Sequence, residues 1–268
     1  MGKTMRKNLE TYYQDHWATV EPERMARYEN MFQWRQSHEA LISPAKIAAG
    51  QIVVDYGCGP GALSIELARR VGDKGKIIAL DINQEFLNRT RELAGKSNLD
   101  SRIDCRHITG KDLPVDDASV DRVICKNVLE YVPDPVATIR EFRRILKPGG
   151  IAHVSDSDWD AAFVEPVGDL FREIMSAARI AFHTPQIGRK LYGFFREAGF
   201  SNVRIQVIAN PDAEGGLRPV LQNMASYARL SGKMDEVKIT SFLQGVDQAI
   251  ENRSYLSLLP QFLVTAEA

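Results

Sequence analysis

Between residues 51 and 155 the chain repeats one pattern: a short apolar run, a turn, then apolar positions three and four residues apart. The runs at 51–55, 76–81, 102–107, 120–125 and 151–155 read as buried strands. The stretches 62–71, 84–95 and 135–146 read as helices with one apolar stripe. Such alternation implies right-handed crossovers and a parallel sheet covered on both faces, a doubly wound α/β fold. Ahead of it, Val20-Glu21-Pro22-Glu23-Arg24 opens a helix with proline and acids in its first turn. Met25, Tyr28, Met31, Phe32 and Arg35 continue it, and a short helix from Leu41 to Ala48 leads to Gly50. Residues 1–50 are expected to form a helical lid or cover, and residues 51–268 the main domain.

The last third departs from the repeat. Helices are expected at 166–182 and from Ile187 to Ala198, then a strand from Val203 to Ile208. Helices near 217–230 and 235–251 follow, and the apolar run from Tyr255 to Val264 reads as a last strand. The helical insertion, about 212–252, suits a substrate pocket, because insertions at strand ends carry function. Dimerisation or padding of the sheet edge explains it nearly as well.

Composition narrows the class. With 34 basic and 35 acidic residues the net charge is −1, which gives no electrostatic case for nucleic acid or an anionic membrane. Three cysteines (Cys58, Cys105, Cys125) form no C-x-x-C pair, and five histidines show no metal-ligand spacing, so no metal is expected. No apolar run matches a membrane span or signal core, so a cytoplasmic protein is expected. Met1-Gly2 opens like a myristoylated chain, but Arg6 stands where Ser or Thr is needed.

The densest chemical signal follows the first strand: Val54-Asp55-Tyr56-Gly57-Cys58-Gly59-Pro60-Gly61-Ala62. Glycines there let a ligand lie against bare backbone, beside the unpaired N–H groups of a helix start. Gly57, Gly59 and Ala62 fit the G-x-G-x-x-A spacing of a dinucleotide site, and Asp81 follows at the distance of a ribose-binding acid. Asp55 argues against a diphosphate, which would meet an anion there. An amino-acid cofactor with a free ammonium suits that carboxylate.

This string closely resembles motif I of the class I S-adenosylmethionine-dependent methyltransferases. Residues 113–121, 127–134 and 141–150 resemble the same family, in order, so the likeness covers residues 52–150. Residues 187–200 resemble a helix of its ubiquinone- and menaquinone-biosynthesis members. The resemblance implies a Rossmann-like, mostly parallel seven-stranded sheet with an antiparallel last strand. It implies S-adenosyl-L-methionine as cofactor, S-adenosyl-L-homocysteine as product, and in-line transfer to oxygen, nitrogen or carbon of a small molecule. It places Gly57, Cys58, Gly59 and Gly61 at the methionine part, Asp55 beneath its ammonium, and Asp81 with Ile82 at the ribose. Backbone at Lys126 would meet the cofactor. Thr109 and Gly110 stand where the family commonly has Asp-Ala at the adenine; the hydroxyl and the N–H can serve instead.

The acceptor side is less determined. Tyr12, Tyr13 and Trp17 are candidates for a lid over the substrate, with His16 as a general base. Tyr131 and Asp156 are the other catalytic candidates, and Trp159 and Arg189 could touch the substrate. Packing roles suit Tyr131 and Trp159 as well, and an exposed arginine at a helix start suits Arg189. A peptide acceptor, a nicotinamide-dependent reductase and a non-catalytic cofactor-fold subunit are the competing readings; either a monomer or a homodimer fits.

Overall fold

The structure, a computed structural model, describes residues 9–268; the myristoylation-like opening lies outside them. Two helices come first, α1 (Tyr12–Ala18) and α2 (Pro22–Met31), then the short α3 (Glu39–Ile42). The repeat follows as β1 (Ile52–Tyr56), α4 (Ala62–Val71), β2 (Lys76–Asp81), α5 (Gln84–Lys96), β3 (Ile103–His107), β4 (Val120–Lys126), α6 (Pro135–Ile145) and β5 (Leu146–Ser157). The remainder is β6 (Phe163–Glu165), α7 (Gly168–Ala178), α8 (Ile187–Glu197), β7 (Ser201–Ile208), α9 (Arg218–Ser231), α10 (Glu236–Glu251), β8 (Leu256–Leu258) and β9 (Gln261–Glu267).

Seven strands form one sheet in the order β3-β2-β1-β4-β5-β9-β7. The first five run parallel, and β9 lies antiparallel between β5 and β7. The expected doubly wound sheet with an antiparallel last strand is therefore present. Successive strand residues face opposite sides: Val53, Ile77 and Ile124 pack with Leu67 and Leu87, whereas Val54, Ile78 and Val123 pack with Phe142 and Phe195. A third core lies off the sheet, where Tyr12 of α1 joins Phe171, Tyr227 and Phe242 of α7, α9 and α10.

Prolines account for three of the boundaries that differ from expectation. The helix expected over residues 41–48 ends at Ile42, and a 3-10 turn over Ser43–Ala45 takes Pro44 before Lys46 turns left-handed at φ 52°. The helix expected from residue 166 begins at Gly168, because Pro166 follows the short strand β6. The apolar run from Tyr255 splits at Pro260, which has no N–H for a ladder. Its first half, β8, pairs with β6, and its second half, β9, enters the main sheet. No helix among the described residues is long and apolar enough to cross a membrane.

Candidate active site

The carboxyl ends of β1, β2 and β4 open into one cavity of about 460 Å³. Asp55 is buried at the end of β1, and its Oδ2 accepts from Ser64 Oγ of α4 at 2.6 Å. Burial pushes this carboxyl up to about 7. Asp81 ends β2, accepting from Gly59 N–H at 2.9 Å and Asn83 N–H at 2.8 Å, and burial holds it at about 6. Gly59, at φ +54°, leaves open space: a Cβ there would meet only Phe32, at 3.8 Å. Gly61 has another task. A Cβ on it would lie 2.6 Å from Thr90 Oγ1, so this glycine lets α4 start against α5 rather than lining the cavity.

The roof comes from the N-terminal helices. Trp17 stacks on Tyr28 and Tyr28 on Phe32, each pair with ring centroids 5.0 Å apart. The Trp17 carbonyl accepts from Asn83 Nδ2 at 2.8 Å, while Asn83 Oδ1 caps α5 through Glu85 and Phe86 N–H. One side chain thus ties the roof to the strand end that carries Asp81. Tyr131 closes the far wall, 4.9 Å from Trp17 between centroids.

Of the residues expected at the site, Asp55, Gly57, Cys58, Gly59, Asp81, Ile82, Gly110, Lys126, Tyr131 and Trp17 line this cavity. Cys58 is a buried thiol pushed well above its ordinary value by burial. Thr109 is exposed and outside the lining, so Ile108, Gly110 and Leu113 form that end of the cavity. Asp156 is fully buried and also outside it. Its Oδ2 accepts from Val128 and Leu129 N–H at 3.2 and 2.9 Å, and its Oδ1 from Ser157 N–H at 2.9 Å. It shapes the turn after β4 and leaves no oxygen facing the cavity as a base.

The other acceptor-side candidates lie outside the cavity lining and meet neighbouring side chains. His16 stacks on Tyr12, 4.7 Å between centroids, with its Nδ1 bonded to the Tyr12 carbonyl. Tyr12 is buried beside Tyr227, and Tyr13 lies against the ring of His183. Trp159 is buried and donates to Glu130 Oε2 at 2.8 Å. Arg189 is paired with Asp158, one of its two bonds being 2.8 Å.

Sequence reasoning passed over several lining residues: Gln14, Phe32, Trp34, His38, Asn127 and Val128. Phe32 and Trp34 belong to an N-terminal stretch rich in aromatic residues, and Asn127 and Val128 open the family-like segment 127–134. Asn127 sits left-handed at φ +53° just past β4, and its Oδ1 is buried with no partner among the described residues. An acceptor atom left open beside Asp55 fits a ligand ammonium, and the Asp81 carboxylate fits a ribose. These residues fit S-adenosylmethionine: Asp55, Gly57, Gly59 and Asn127 would hold its amino-acid end, Asp81 its ribose, and Ile82, Ile108 and Leu113 its base. No group of acidic, histidine or cysteine side chains suited to a metal occurs among the described residues.

Strand order and site together define the fold of the S-adenosylmethionine-dependent methyltransferases. Residues 47–199 match the family model described as "Methyltransferase domain", and the chain belongs to that family. It is 35% identical over 117 residues to a demethylmenaquinone methyltransferase of Lactobacillus johnsonii, covering 44% of this chain and 47% of that one. A demethylmenaquinone methyltransferase of Listeria monocytogenes is 31% identical over 188 residues, covering 64% and 77%. Several curated relatives are matched over only 37–56% of their own length. The solved structure of a SAM-dependent methyltransferase from Aquifex aeolicus superposes with a TM-score of 0.53 at 19% identity, covering 71% of this chain and 93% of that one.

Proposed function

We propose that this protein moves a methyl group from S-adenosylmethionine to a small, largely apolar and planar acceptor. The observation that carries this reading is that one cavity holds both Asp55 and Asp81 and an aromatic roof of Trp17, Phe32 and Trp34. When bound, the cofactor supplies an activated methyl group. The chain's own task is to align the acceptor and exclude water, and alignment is worth up to about 7–11 kcal/mol of barrier. Residues 9–50 act as a lid in this reading, closing the cavity over the acceptor. The roof favours a small molecule over a peptide, and the names of the demethylmenaquinone relatives support a flat ring system. Tyr131 is placed to stack on such a ring; burial and the neighbouring Glu130 hold its hydroxyl well above the ordinary value, so it serves as a wall rather than a base.

Calorimetry against S-adenosylhomocysteine, S-adenosylmethionine and NADH tests the cofactor half. Micromolar binding of the first two and none of NADH is expected, and tighter NADH binding overturns the reading. Mass spectrometry of a panel of naphthols, quinols and short peptides incubated with cofactor tests the acceptor half. Methylation confined to the peptides would overturn it.

A further inference from the structure

Donors outnumber their partners on the acceptor side of the cavity. Lys126, at the end of β4, lines it, and its side-chain ammonium makes no ion pair or hydrogen bond among the described residues. Trp17 lines it too, and its Nε1–H is buried with no partner among the described residues. His38 is the third: its Nδ1 accepts from Arg35 N–H at 3.3 Å, which leaves the ring proton on Nε2. Burial, Lys126 and Arg35 all hold His38 below its ordinary value, so it is a neutral donor.

The charges facing Lys126 come from each neighbouring element: Asp55 from β1, Asp156 from β5, Glu130 after β4, and His38 across the cavity. Burial holds Glu130 well above the carboxylate range and Asp156 at about 7, which weakens the negative field on the ammonium. Asp156 is further committed to backbone N–H groups. Burial holds Lys126 below its ordinary value, against the raising pull of Asp156, Asp55 and Glu130; a ligand that brings a negative oxygen would pair with its ammonium and with the two N–H donors.

We propose that Lys126, helped by Trp17 Nε1 and His38 Nε2, binds an oxyanion of the methyl acceptor, so that acceptors are acidic hydroxyl compounds such as phenols, held ionised. This rests on the small-acceptor reading above. It also asks no wall residue to take a proton, since an acceptor that has already given its proton to solvent needs no base. A carboxylate at the amino-acid end of the cofactor is the other oxyanion that could meet Lys126, and the test separates the two.

The probe is 4-nitrophenol, whose anion alone absorbs visible light, added to the full chain saturated with S-adenosylhomocysteine. In the wild type the visible band should appear in buffer acidic enough to keep the free probe colourless. Lys126→Met should weaken that band about tenfold or more, Lys126→Arg should retain most of it, and S-adenosylhomocysteine affinity should stay within about twofold. Trp17→Phe, which keeps the stacking and removes only the N–H, should weaken the band severalfold and serves if Lys126→Met does not fold. A colourless bound probe, no probe binding, or a band unchanged in the variants overturns the proposal. So does a Lys126→Met chain that loses S-adenosylhomocysteine affinity but keeps the band, which would assign the lysine to the cofactor. A wild type that binds no S-adenosylhomocysteine would instead overturn the cofactor reading itself.

Discussion

The cofactor half of the cavity and its acceptor half are built by different means. Asp55, Gly59 and Asp81 are placed by backbone at strand ends, within 27 residues of one another in the chain. The roof is held by side chains from distant segments. Tyr28 Oη meets Tyr227 Oη at 3.1 Å across 199 residues, and Arg27 donates to Asn223 Oδ1 at 2.7 Å across 196. Local backbone geometry repeats from protein to protein, so a common cofactor is recognised by a common turn. Long-range side-chain interlocking shapes the space under the roof, which in the proposed function receives the acceptor.

The contrast is sharpened most by removing residues 1–18. Methyl transfer should fall steeply as water enters. Because Tyr12 and His16 are buried, stability should fall as well, by about 1.5–3 kcal/mol for each large apolar side chain lost. Full activity in a stable truncated chain would remove the roof from the mechanism.

Asp81→Ala is the matching cut in the cofactor half. Charge-assisted bonds to a ribose are worth about 1.5–3 kcal/mol each, so S-adenosylhomocysteine affinity should drop at least about tenfold by calorimetry. Unchanged affinity in a folded variant would place the ribose elsewhere.

Asp55→Asn should separate binding from folding. The carboxyl rises from 3.8 to about 7 on folding, so the folded chain holds a proton there that the unfolded chain has released. The resulting stability is present in acid and declines as pH rises from the lower value through the upper one. The ligand-free variant should therefore melt above the wild type in mildly alkaline buffer and match it more closely in acid, while binding cofactor less well. A pH-independent difference in melting would mean that Asp55 is already ionised in the folded chain.

Tyr28→Phe is the mildest test. Losing the hydroxyl contact to Tyr227 should cost about 0.5–1.5 kcal/mol in chemical unfolding and loosen the roof, leaving S-adenosylhomocysteine affinity nearly unchanged.

Legibility in the sequence follows the same division. The glycine turn, Asp55 and Asp81 were readable because strand, turn and acid lie side by side in the chain. Lys126 was readable as a place, but not as an unpaired charge, because its surroundings come from β1, β5 and the segment before α3. Asp156 stands at the strand end where ligands bind, yet it turns inward to hold the backbone N–H groups of Val128, Leu129 and Ser157, and nothing in Ser155-Asp156-Ser157 signals that choice. Gly61 belonged to the motif by spacing, but its role is set by Thr90, a residue 29 positions on. The breaks at Pro44, Pro166 and Pro260 were written in the sequence; apolar content had been given too much weight over a missing N–H.

The helices α9 and α10 leave the sheet after Ile208 and the chain returns to it at Gln261, and these two residues are paired neighbours on adjacent strands. Exit and return therefore meet at one position of the β7–β9 ladder, and between them the segment also pairs β8 with β6. Residues 209–260 thus loop out from between two paired strands. No residue of 209–260 lines the cavity; the segment bears on it only through Asn223 and Tyr227, which grip Arg27 and Tyr28 of α2, and through the apolar cluster behind Tyr131, whereas Asp55 and Asp81 are held by β1, β2 and the turns that follow them.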